Sequence, residues 1–186
     1  LDALLALGCP VTPVAPVRPP APRARIGVAL DAAFHFVYPD TLDRLRAAGA
    51  EVVPVSPLAD AALPDDLDGL ILSGGYPEVH AAELAANDTF RASVRALAGA
   101  GRPIHAECGG LMYLCEGLLD LDGAAHAMCG VLPLVAEMTE ALQQLGWREV
   151  TTTRDTPLGR TGTTLRGHAF HHSRLLDPDD DPGGEP

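Results

Sequence analysis

Apolar and polar positions follow two different rhythms through the first two thirds of the chain. Short apolar runs, typical of buried strands, are separated by segments whose apolar residues recur every three to four positions, typical of amphipathic helices. One helix would begin near Pro39 and end at Gly49, and a later one would be capped by Asn87. The predicted strands are RIGVAL, EVVPV, DGLILSGG and GRPIHAE, and the predicted helices are PDTLDRLRAAG and NDTFRASVRALAGAG. This alternation predicts βαβ units, and therefore an α/β fold with a mostly parallel sheet flanked by helices.

The rhythm changes in the last third of the chain. A helix is predicted for GGLMYLCEGLL, entered directly from the fourth strand. After Gly123 the segments GVLPLV, GWREVTTT and TTLRGHAFH are rich in β-formers, and no long helix is evident. We expect added strands in this C-terminal third, mixed in direction, which bring a last loop back over the edge of the sheet.

Both ends of the chain differ in composition from its middle. Residues 1–23 begin with LDALLALG, which resembles the last turns of a helix, and continue with a proline-rich stretch that favours an extended connector. Residues 177–186 are acidic and rich in proline and glycine, which predicts a frayed tail. One domain is therefore predicted at residues 24–176. Because Leu1 is not an initiator methionine, we expect a fragment or a processed form.

Composition narrows the class of protein. With 186 residues, 47% of them hydrophobic, the chain can bury a core, which excludes general disorder. A net charge of −12 repels phosphate backbones and anionic lipid, and 4% aromatic residues offer few platforms for base stacking. No apolar run approaches the ~20 residues of a membrane span. We therefore expect a cytoplasmic protein that binds neither nucleic acid nor membrane.

Four cysteines are candidates for chemistry: Cys9, Cys108, Cys115 and Cys129. None forms a CxxC pair, and their spacing fits neither a zinc site nor a disulfide framework. We expect reduced thiols, and no metal or cofactor held by this chain.

The most informative segment is IHAECGGLM, in which a strand runs into Cys108 and two glycines open a helix. This order is typical of a nucleophile elbow, where a tight turn pushes one side chain out above the sheet. The positive end of the following helix would lower the thiol pKa, and the Gly109 N–H would point at a developing oxyanion. The alternative for Cys108 is a small buried hydrophobe at a strand end, the role we expect for Cys115.

A thiol nucleophile needs a base, and seven histidines compete for that role. His105 lies within a strand, where we expect a packed residue rather than a proton acceptor. The late cluster GHAFHHS is better placed, because reactive groups gather at the carboxyl ends of parallel strands. Spacing alone leaves both His168 and His171 open, since residues three apart on a strand face opposite sides.

A second polar loop, SGGYPE, follows the third strand. Gly74 and Gly75 allow a turn whose backbone N–H groups can closely approach a ligand, which would complete an oxyanion hole beside the cysteine elbow. The alternative is an ordinary strand-to-helix turn, with Pro77 starting the helix. A phosphate loop is excluded because no lysine follows.

Together, SGGYPE, AECGGLMYL and GHAFHHS resemble the C-terminal glutaminase domain of cobyrinic acid and hydrogenobyrinic acid a,c-diamide synthases, and the similarity runs from Leu1 to about Leu176. These are Triad-type, class I-like glutamine amidotransferases, which implies a flavodoxin-like three-layer fold. By motif position, the resemblance makes Cys108 the nucleophile and His171 the base. The glycines that would bind glutamine and its oxyanion are Gly74, Gly75 and Gly109.

The resemblance also implies a reaction and its partners. Glutamine would form a thioester with the cysteine, and the released ammonia would pass to an ATP-dependent synthetase part, in the same polypeptide or a partner chain. That part, with its ATP and magnesium, would amidate the a and c carboxylates of cobyrinate or hydrogenobyrinate in cobalamin biosynthesis. A homodimer is left open.

The chain departs from the family's usual pattern at several positions. Ala169 stands where the family usually has glutamate, and Leu30, Ala32 and His35 replace arginine, glutamate and asparagine. Ser173 leaves no His-x-Glu pair to orient the base. These departures leave open a catalytically impaired module that docks on a synthetase partner. Because the fold alone does not decide the acceptor, a Cys–His hydrolase of the same sheet type and an amidotransferase that serves another carboxylate acceptor stay open as well.

Overall fold

A four-stranded parallel sheet forms the centre of the computed structural model, which describes residues 23–156 and 158–176. Its strands are β1 (Ala24–Ala29), β2 (Ala50–Val55), β3 (Gly69–Leu72) and β4 (Ile104–Ala106), in the order β2-β1-β3-β4. The register sets Ile26 of β1 beside Val52 of β2 and Gly69 of β3. This is the flavodoxin-like order, in which the chain switches sides of the sheet between β1 and β3. The predicted α/β class is confirmed.

Among the described residues, four helices accompany the sheet: α1 (Pro39–Ala47), α2 (Ala81–Ala86), α3 (Asp88–Gly99) and α4 (Gly109–Leu114). Proline fits the first position of α1, where no N–H is needed. The predicted cap of α3 is confirmed, because the Asn87 side chain accepts a hydrogen bond from the Phe90 N–H. Pro77 does not start a helix, since α2 begins only at Ala81.

The C-terminal third consists of strands, as expected, but they begin earlier than predicted. The predicted helix GGLMYLCEGLL ends at Leu114, and β5 (Cys115–Leu119) takes over at once. The remaining strands are β6 (Ala125–Ala127), β7 (Leu132–Met138), β8 (Gln144–Thr151), β9 (Thr164–His171) and β10 (Ser173–Leu176). Pairing with β6 and β7, which follow later in the chain, overrides the helical pattern, and Gly117 weakens a helix there.

These later strands form two separate sheets. One is mixed, in the order β10-β7-β5-β6, with β5 parallel to β7 and the other pairs antiparallel. The other is an antiparallel hairpin of β8 and β9 alone. The hairpin root is tied to the mixed sheet, because the Thr139 N–H donates to the His172 carbonyl oxygen at 2.7 Å.

The core lies between one face of the parallel sheet, helices α2 to α4 and the mixed sheet. Phe34 and Tyr113 meet there with ring centroids 5.3 Å apart, and both are fully buried. Cys115 is buried, as expected, and so is Cys129. Other fully buried members of the cluster are Leu67, Leu70, Leu72, Leu84, Phe90, Val94, Leu118 and Met128. Each such side chain contributes about 1.5–3 kcal/mol through its removal from water.

Two predictions concern residues the structure does not describe. The proline-rich connector, including Cys9, falls in residues 1–22, and the acidic tail falls in residues 177–186. The domain boundaries drawn from them stay predictions. Within residues 23–156 and 158–176, no helix has the length and apolar character needed to cross a membrane.

Candidate active site

The candidate site lies where the carboxyl ends of β1, β3 and β4 meet. The loops that follow these strands are Leu30–Tyr38, Ser73–Glu78 and the turn at Glu107–Cys108. The first two touch directly, because the Phe36 N–H donates to the Gly74 carbonyl oxygen at 3.0 Å. Ligands of open parallel sheets bind in such a crevice, at the point where strand order reverses.

Cys108 occupies a strained turn between β4 and α4. It has φ 50° and ψ −115°, and it is the one non-glycine residue with positive φ among those the structure describes. Such a conformation costs about 1–3 kcal/mol and persists only when the surroundings enforce it. The following glycines enforce it: a Cβ on Gly110 would lie 2.2 Å from the Leu72 carbonyl oxygen, and one on Gly109 would lie 2.7 Å from Pro77 Cδ. The turn has the shape expected of a nucleophile elbow.

Cys108 is an exposed residue, unlike Cys115 and Cys129, although the cleft walls partly shield its sulfur from water. Hydrogen bonds from the backbone N–H groups of Gly109 and Gly75 act to lower its pKa. Gly75 is held in place by close packing, because a Cβ there would lie 2.0 Å from the Ala33 carbonyl oxygen. Two N–H donors from different loops therefore converge beside the sulfur, an arrangement that can stabilise an oxyanion.

The net effect on the thiol differs from the sequence prediction. The pKa of Cys108 is raised, not lowered, mainly because the cleft walls remove water from the sulfur. The negative charges of Glu78 and Glu107 raise the pKa of Cys108 further, and together with desolvation they outweigh the two N–H groups. Helix α4 has only six residues, which limits the help its positive end can give.

Glu107 is itself held by the histidine that the sequence placed within β4. His105 Nε2 lies 2.7 Å from Glu107 Oε1, and this contact lowers the pKa of Glu107 and raises that of His105. His105 is half-buried, so it is less packed than expected, and its imidazole pairs with the Glu107 carboxylate.

Two clefts meet at Cys108. The smaller, about 280 Å³, includes Gly74, Gly75 and Glu78 in its wall. The larger, about 900 Å³, includes Gln143, Ala169 and Arg174. Residues common to both walls are Glu107, Cys108, Met112, His168, Phe170, His171 and Ser173. The cysteine and the late histidines, far apart in sequence, thus share one space.

The structure distinguishes the two histidines that spacing left open. His171 Nδ1 lies 2.7 Å from the Ser173 carbonyl oxygen, which can only accept, so the neutral ring carries its proton on Nδ1. Its Nε2 then keeps a free lone pair. His168 is exposed and stacks edge-on against Trp147, with centroids 5.5 Å apart. Although residue 173 is not a glutamate, its backbone carbonyl orients His171, which sequence reasoning missed.

An aromatic rim on the smaller cleft was also missed. Phe36, Tyr38 and Tyr76 line it and are all exposed. Phe36 and Tyr76 pack edge to face, with ring centroids 5.2 Å apart. The chain has four phenylalanines, three tyrosines and one tryptophan, so their clustering in FHFVY and SGGYPE was the available signal.

The first loop carries two of the residues that depart from the family pattern, Ala32 and His35, beside this rim. Asp31 organises the loop, because its carboxylate accepts hydrogen bonds from the N–H groups of Ala33, at 2.9 Å, and Leu58, at 3.0 Å. Ala32 and His35 are exposed on the outside of the loop, and the His35 ring stacks near Tyr76.

No group of three or more possible metal-ligating side chains occurs within the described part of the chain.

Comparison with known proteins bears on the fold and the family. Among solved structures, PurLQS from Thermotoga maritima has a TM-score of 0.58 at 20% identity, over 84% of this chain and 71% of that one. A glutamine amidotransferase has a TM-score of 0.56 at 18% identity, over 85% of this chain and 76% of that one. At these identities the likeness shows the fold, an α/β arrangement with a parallel sheet flanked by helices and a mixed second sheet.

Curated relatives are closer in sequence but much longer. Cobyrinate a,c-diamide synthase of Syntrophotalea carbinolica is 52% identical over 152 residues, which make up 82% of this chain and 33% of that protein. Hydrogenobyrinate a,c-diamide synthase of Mesorhizobium japonicum is 44% identical over 180 residues, 94% of this chain and 40% of that protein. The chain spans about a third to two fifths of the length of these relatives. The family model described as "CobB/CobQ-like glutamine amidotransferase domain" matches residues 25–184, and the chain belongs to that family.

Proposed function

We propose that this chain hydrolyses glutamine with Cys108 as nucleophile and His171 as base. One observation carries the proposal. An exposed thiol stands on a strained turn, two backbone N–H groups from Gly75 and Gly109 face it, and the clefts around it also receive His171. Nucleophile, base and oxyanion donors in one cleft are the parts that acyl transfer requires.

The reaction follows from these parts. His171 Nε2 takes the proton of the Cys108 thiol, and the thiolate sulfur attacks the side-chain amide carbon of glutamine. The carbonyl oxygen becomes an oxyanion that accepts hydrogen bonds from Gly75 and Gly109. Protonated His171 then gives its proton to the departing nitrogen, which leaves as ammonia and a γ-glutamyl thioester remains. Water, deprotonated by His171, cleaves the thioester and releases glutamate.

The raised pKa of Cys108 makes the base necessary. Burial and two nearby carboxylates keep the resting thiol protonated near neutral pH. The hydrogen bond from His171 Nδ1–H to the Ser173 carbonyl leaves Nε2 as the acceptor and stabilises the imidazolium that forms. A mostly protonated thiol is also a weaker target for oxidation when no substrate is bound.

Charges in the larger cleft suit the rest of the substrate. Glutamine carries an α-ammonium and an α-carboxylate, and the residues that line the cleft include the acidic Glu107 and the basic Arg174. Arg174 is more than half exposed, and Glu137 holds its side chain. We assign the ammonium to Glu107 and the carboxylate to Arg174, because opposite charges would then meet at each end of the amino acid.

The ammonia would serve a larger enzyme. Relatives named cobyrinate and hydrogenobyrinate a,c-diamide synthases support amidation of the a and c carboxylates of one of these acids. We propose that this amidation consumes ATP and takes place in the cytoplasm. ATP and magnesium would bind to the part of those proteins that this chain does not span. Within the chain, the proposal needs only glutamine and water.

The proposal is tested with a glutamine-analogue chloromethyl ketone, which alkylates an active-site thiol. We expect stoichiometric labelling, detected by mass spectrometry, that glutamine prevents and Cys108→Ala abolishes together with glutamate release. Cys115→Ala removes a buried thiol of the same type and is the matched control. Equal labelling of the native chain and Cys108→Ala contradicts the proposal.

A second candidate is a docking module of the same fold without turnover. The raised pKa of Cys108 and the absence of a carboxylate at Ala169 and Ser173 favour it. It requires that the native chain, joined to an ATP-dependent part, release no glutamate above the level of His171→Ala. Glutamate release that depends on His171 excludes it.

A further inference from the structure

One face of the β8–β9 hairpin is apolar and exposed. The register pairs Leu145 with Phe170 and Trp147 with His168, so these four side chains share a face. Leu145 is 60% exposed, Trp147 78% and Phe170 58%. Large apolar side chains are rarely left together on a surface without a partner.

The hairpin also differs in charge from the rest of the chain. Its residues 144–171 carry Arg148, Arg154, Arg160 and Arg166 against Glu149 and Asp155, whereas the whole chain has a net charge of −12. On the apolar face, the Arg166 guanidinium meets the Glu149 carboxylate at 2.9 Å, just beyond Trp147. An apolar centre with a charged border is the usual organisation of a protein interface.

This face continues into the candidate active site. Phe170 and His168 line both clefts at Cys108, and the exposed rings of Tyr38 and Tyr76 stand on the rim of the smaller one. A protein seated on the hairpin face would therefore also cover the mouth of the cleft. The root of the same hairpin holds His171, so such a protein would contact the element that positions the base.

We infer that the hairpin face, Leu145, Trp147, His168 and Phe170, is the docking surface for the ATP-dependent part of the diamide synthase. The inference rests on the proposed function. Relatives at 44–52% identity are synthases of which this chain spans only 33–40%, so those proteins contain a large further part that is a candidate occupant of this face. Ammonia formed at Cys108 has to reach that part before it mixes with bulk water, which requires contact beside the cleft.

The chain contains a natural probe of this face, because Trp147 is its one tryptophan. The native chain labelled with 5-fluorotryptophan gives one fluorine resonance, to which the unlabelled ATP-dependent part is added. We expect the resonance to shift and to lose its solvent isotope effect as Trp147 becomes buried. An unchanged resonance while sedimentation shows a complex overturns the inference. A shift that grows with the chain's own concentration alone assigns the face to a second copy and overturns it too.

The functional test uses the intact synthase with Leu145→Ser and Trp147→Ser combined. We expect amidation with glutamine to fall about tenfold or more, as for the loss of an interface hot spot, while amidation with added ammonium salt is unchanged. Leu121→Ser removes a leucine that is 62% exposed in the turn between β5 and β6, and it is the matched control.

The outcomes separate this inference from the proposed function. If native synthase releases no glutamate from glutamine, the proposed function fails. If it does, and the double variant couples glutamine to amidation as well as Leu121→Ser does, the docking inference alone is wrong. Circular dichroism of the double variant and rescue by Trp147→Phe separate a lost contact from a misfolded hairpin.

Discussion

The parallel-sheet body and the β8–β9 hairpin hold their functional residues in different ways. In the body, Cys108 is fixed by backbone packing, since Gly110 lies against the Leu72 carbonyl with no room for a side chain. In the hairpin, His171 stands at the end of a two-stranded sheet that pairs with no other strand among those described. Its root is held by a few hydrogen bonds, such as Gln143 N–H to the His171 carbonyl at 3.0 Å.

This difference shows how the two residues of the proposed catalytic pair can be controlled separately. A residue set in a close-packed core has one position, because interiors resist deformation. A residue on an exposed hairpin has a position that a contact on the hairpin can adjust at small cost. We infer that folding preorganises Cys108, the proposed nucleophile, whereas the placement of His171, the proposed base, responds to a contact made on the hairpin.

The largest effect is expected when the proposed base is removed from the hairpin. His171→Ala should lower glutamate release by about 10²- to 10⁴-fold, the usual contribution of a general base. His168→Ala is the matched variant on the opposite face of β9, and we expect less than about a tenfold loss. Steady-state kinetics of both variants, with glutaminase rates normalised to folded protein, measure the difference.

Two results would break this part of the comparison. A larger loss in His168→Ala than in His171→Ala would transfer the role of base to His168. Nitrogen NMR of the native chain gives an independent check, because His171 should be the Nδ1–H tautomer at high pH. A proton on Nε2 instead would contradict the assigned acceptor.

We expect side chains of the body to contribute more to the free energy of unfolding than side chains of the hairpin. Phe90 in α3 is completely buried, so Phe90→Ala should reduce the free energy of unfolding by about 3–5 kcal/mol. Phe170 is 58% exposed on the hairpin, so Phe170→Ala should cost less than about 1 kcal/mol. Urea unfolding followed by circular dichroism compares the same substitution in both regions. Equal losses would mean that the hairpin is packed as firmly as the body.

Two glycines, one in the body and one in the hairpin, allow the packing of the backbone to be compared in the same way. Gly110→Ala places a methyl group where the Leu72 carbonyl oxygen lies 2.2 Å away, so we expect a loss of about 1–3 kcal/mol and a displaced elbow. Gly167 in β9 has no heavy atom within 4 Å of an added Cβ, so Gly167→Ala should change stability by less than about 0.5 kcal/mol. Thermal unfolding and glutaminase rates of the two variants check both values.

The sequence predicted the body of the molecule better than its last third. Local signals sufficed for the strand runs, for Pro39 at the start of α1 and for the Asn87 cap, because each depends on a few neighbouring residues. The elbow at Cys108 was predictable for the same reason, since the neighbouring Gly109 and Gly110 indicate a crowded turn. The helix expected beyond Leu114 was wrong, because the partners of β5 lie farther along the chain and overrule a local pattern.

The sequence predicts which residues form the candidate site, but it does not predict the direction of the thiol pKa shift. Spacing identified the late histidine cluster, but only the fold shows that the Ser173 carbonyl orients His171. The sequence predicts a lowered thiol pKa, because the helix and its N–H groups lie next to Cys108 along the chain. Burial, and the carboxylate that Glu78 brings from another loop, depend on tertiary structure and reverse the sign.

The smallest expected effect concerns the charge beside the thiol. Glu107→Gln removes a carboxylate that raises the pKa of Cys108, so the variant should hold more thiolate at a given pH. Alkylation by iodoacetamide at neutral pH should then be faster by roughly 1.4- to fivefold, the effect of one exposed charge worth about 0.2–1 kcal/mol. The midpoint of the alkylation profile should move to lower pH, and it should stay above that of a free thiol because burial is the larger cause.

Glu149→Gln is the matched control, because it removes the same charge from the hairpin, where the carboxylate faces Arg166. If the thiol responds to charge in the body alone, this variant alkylates at the native rate. A slower rate in Glu107→Gln would mean that the ion pair with His105 holds the turn open, so that its geometry outweighs its charge. An equal acceleration in both variants would show that the hairpin carboxylate also reaches the sulfur, and that the two regions are coupled through the cleft before any partner binds.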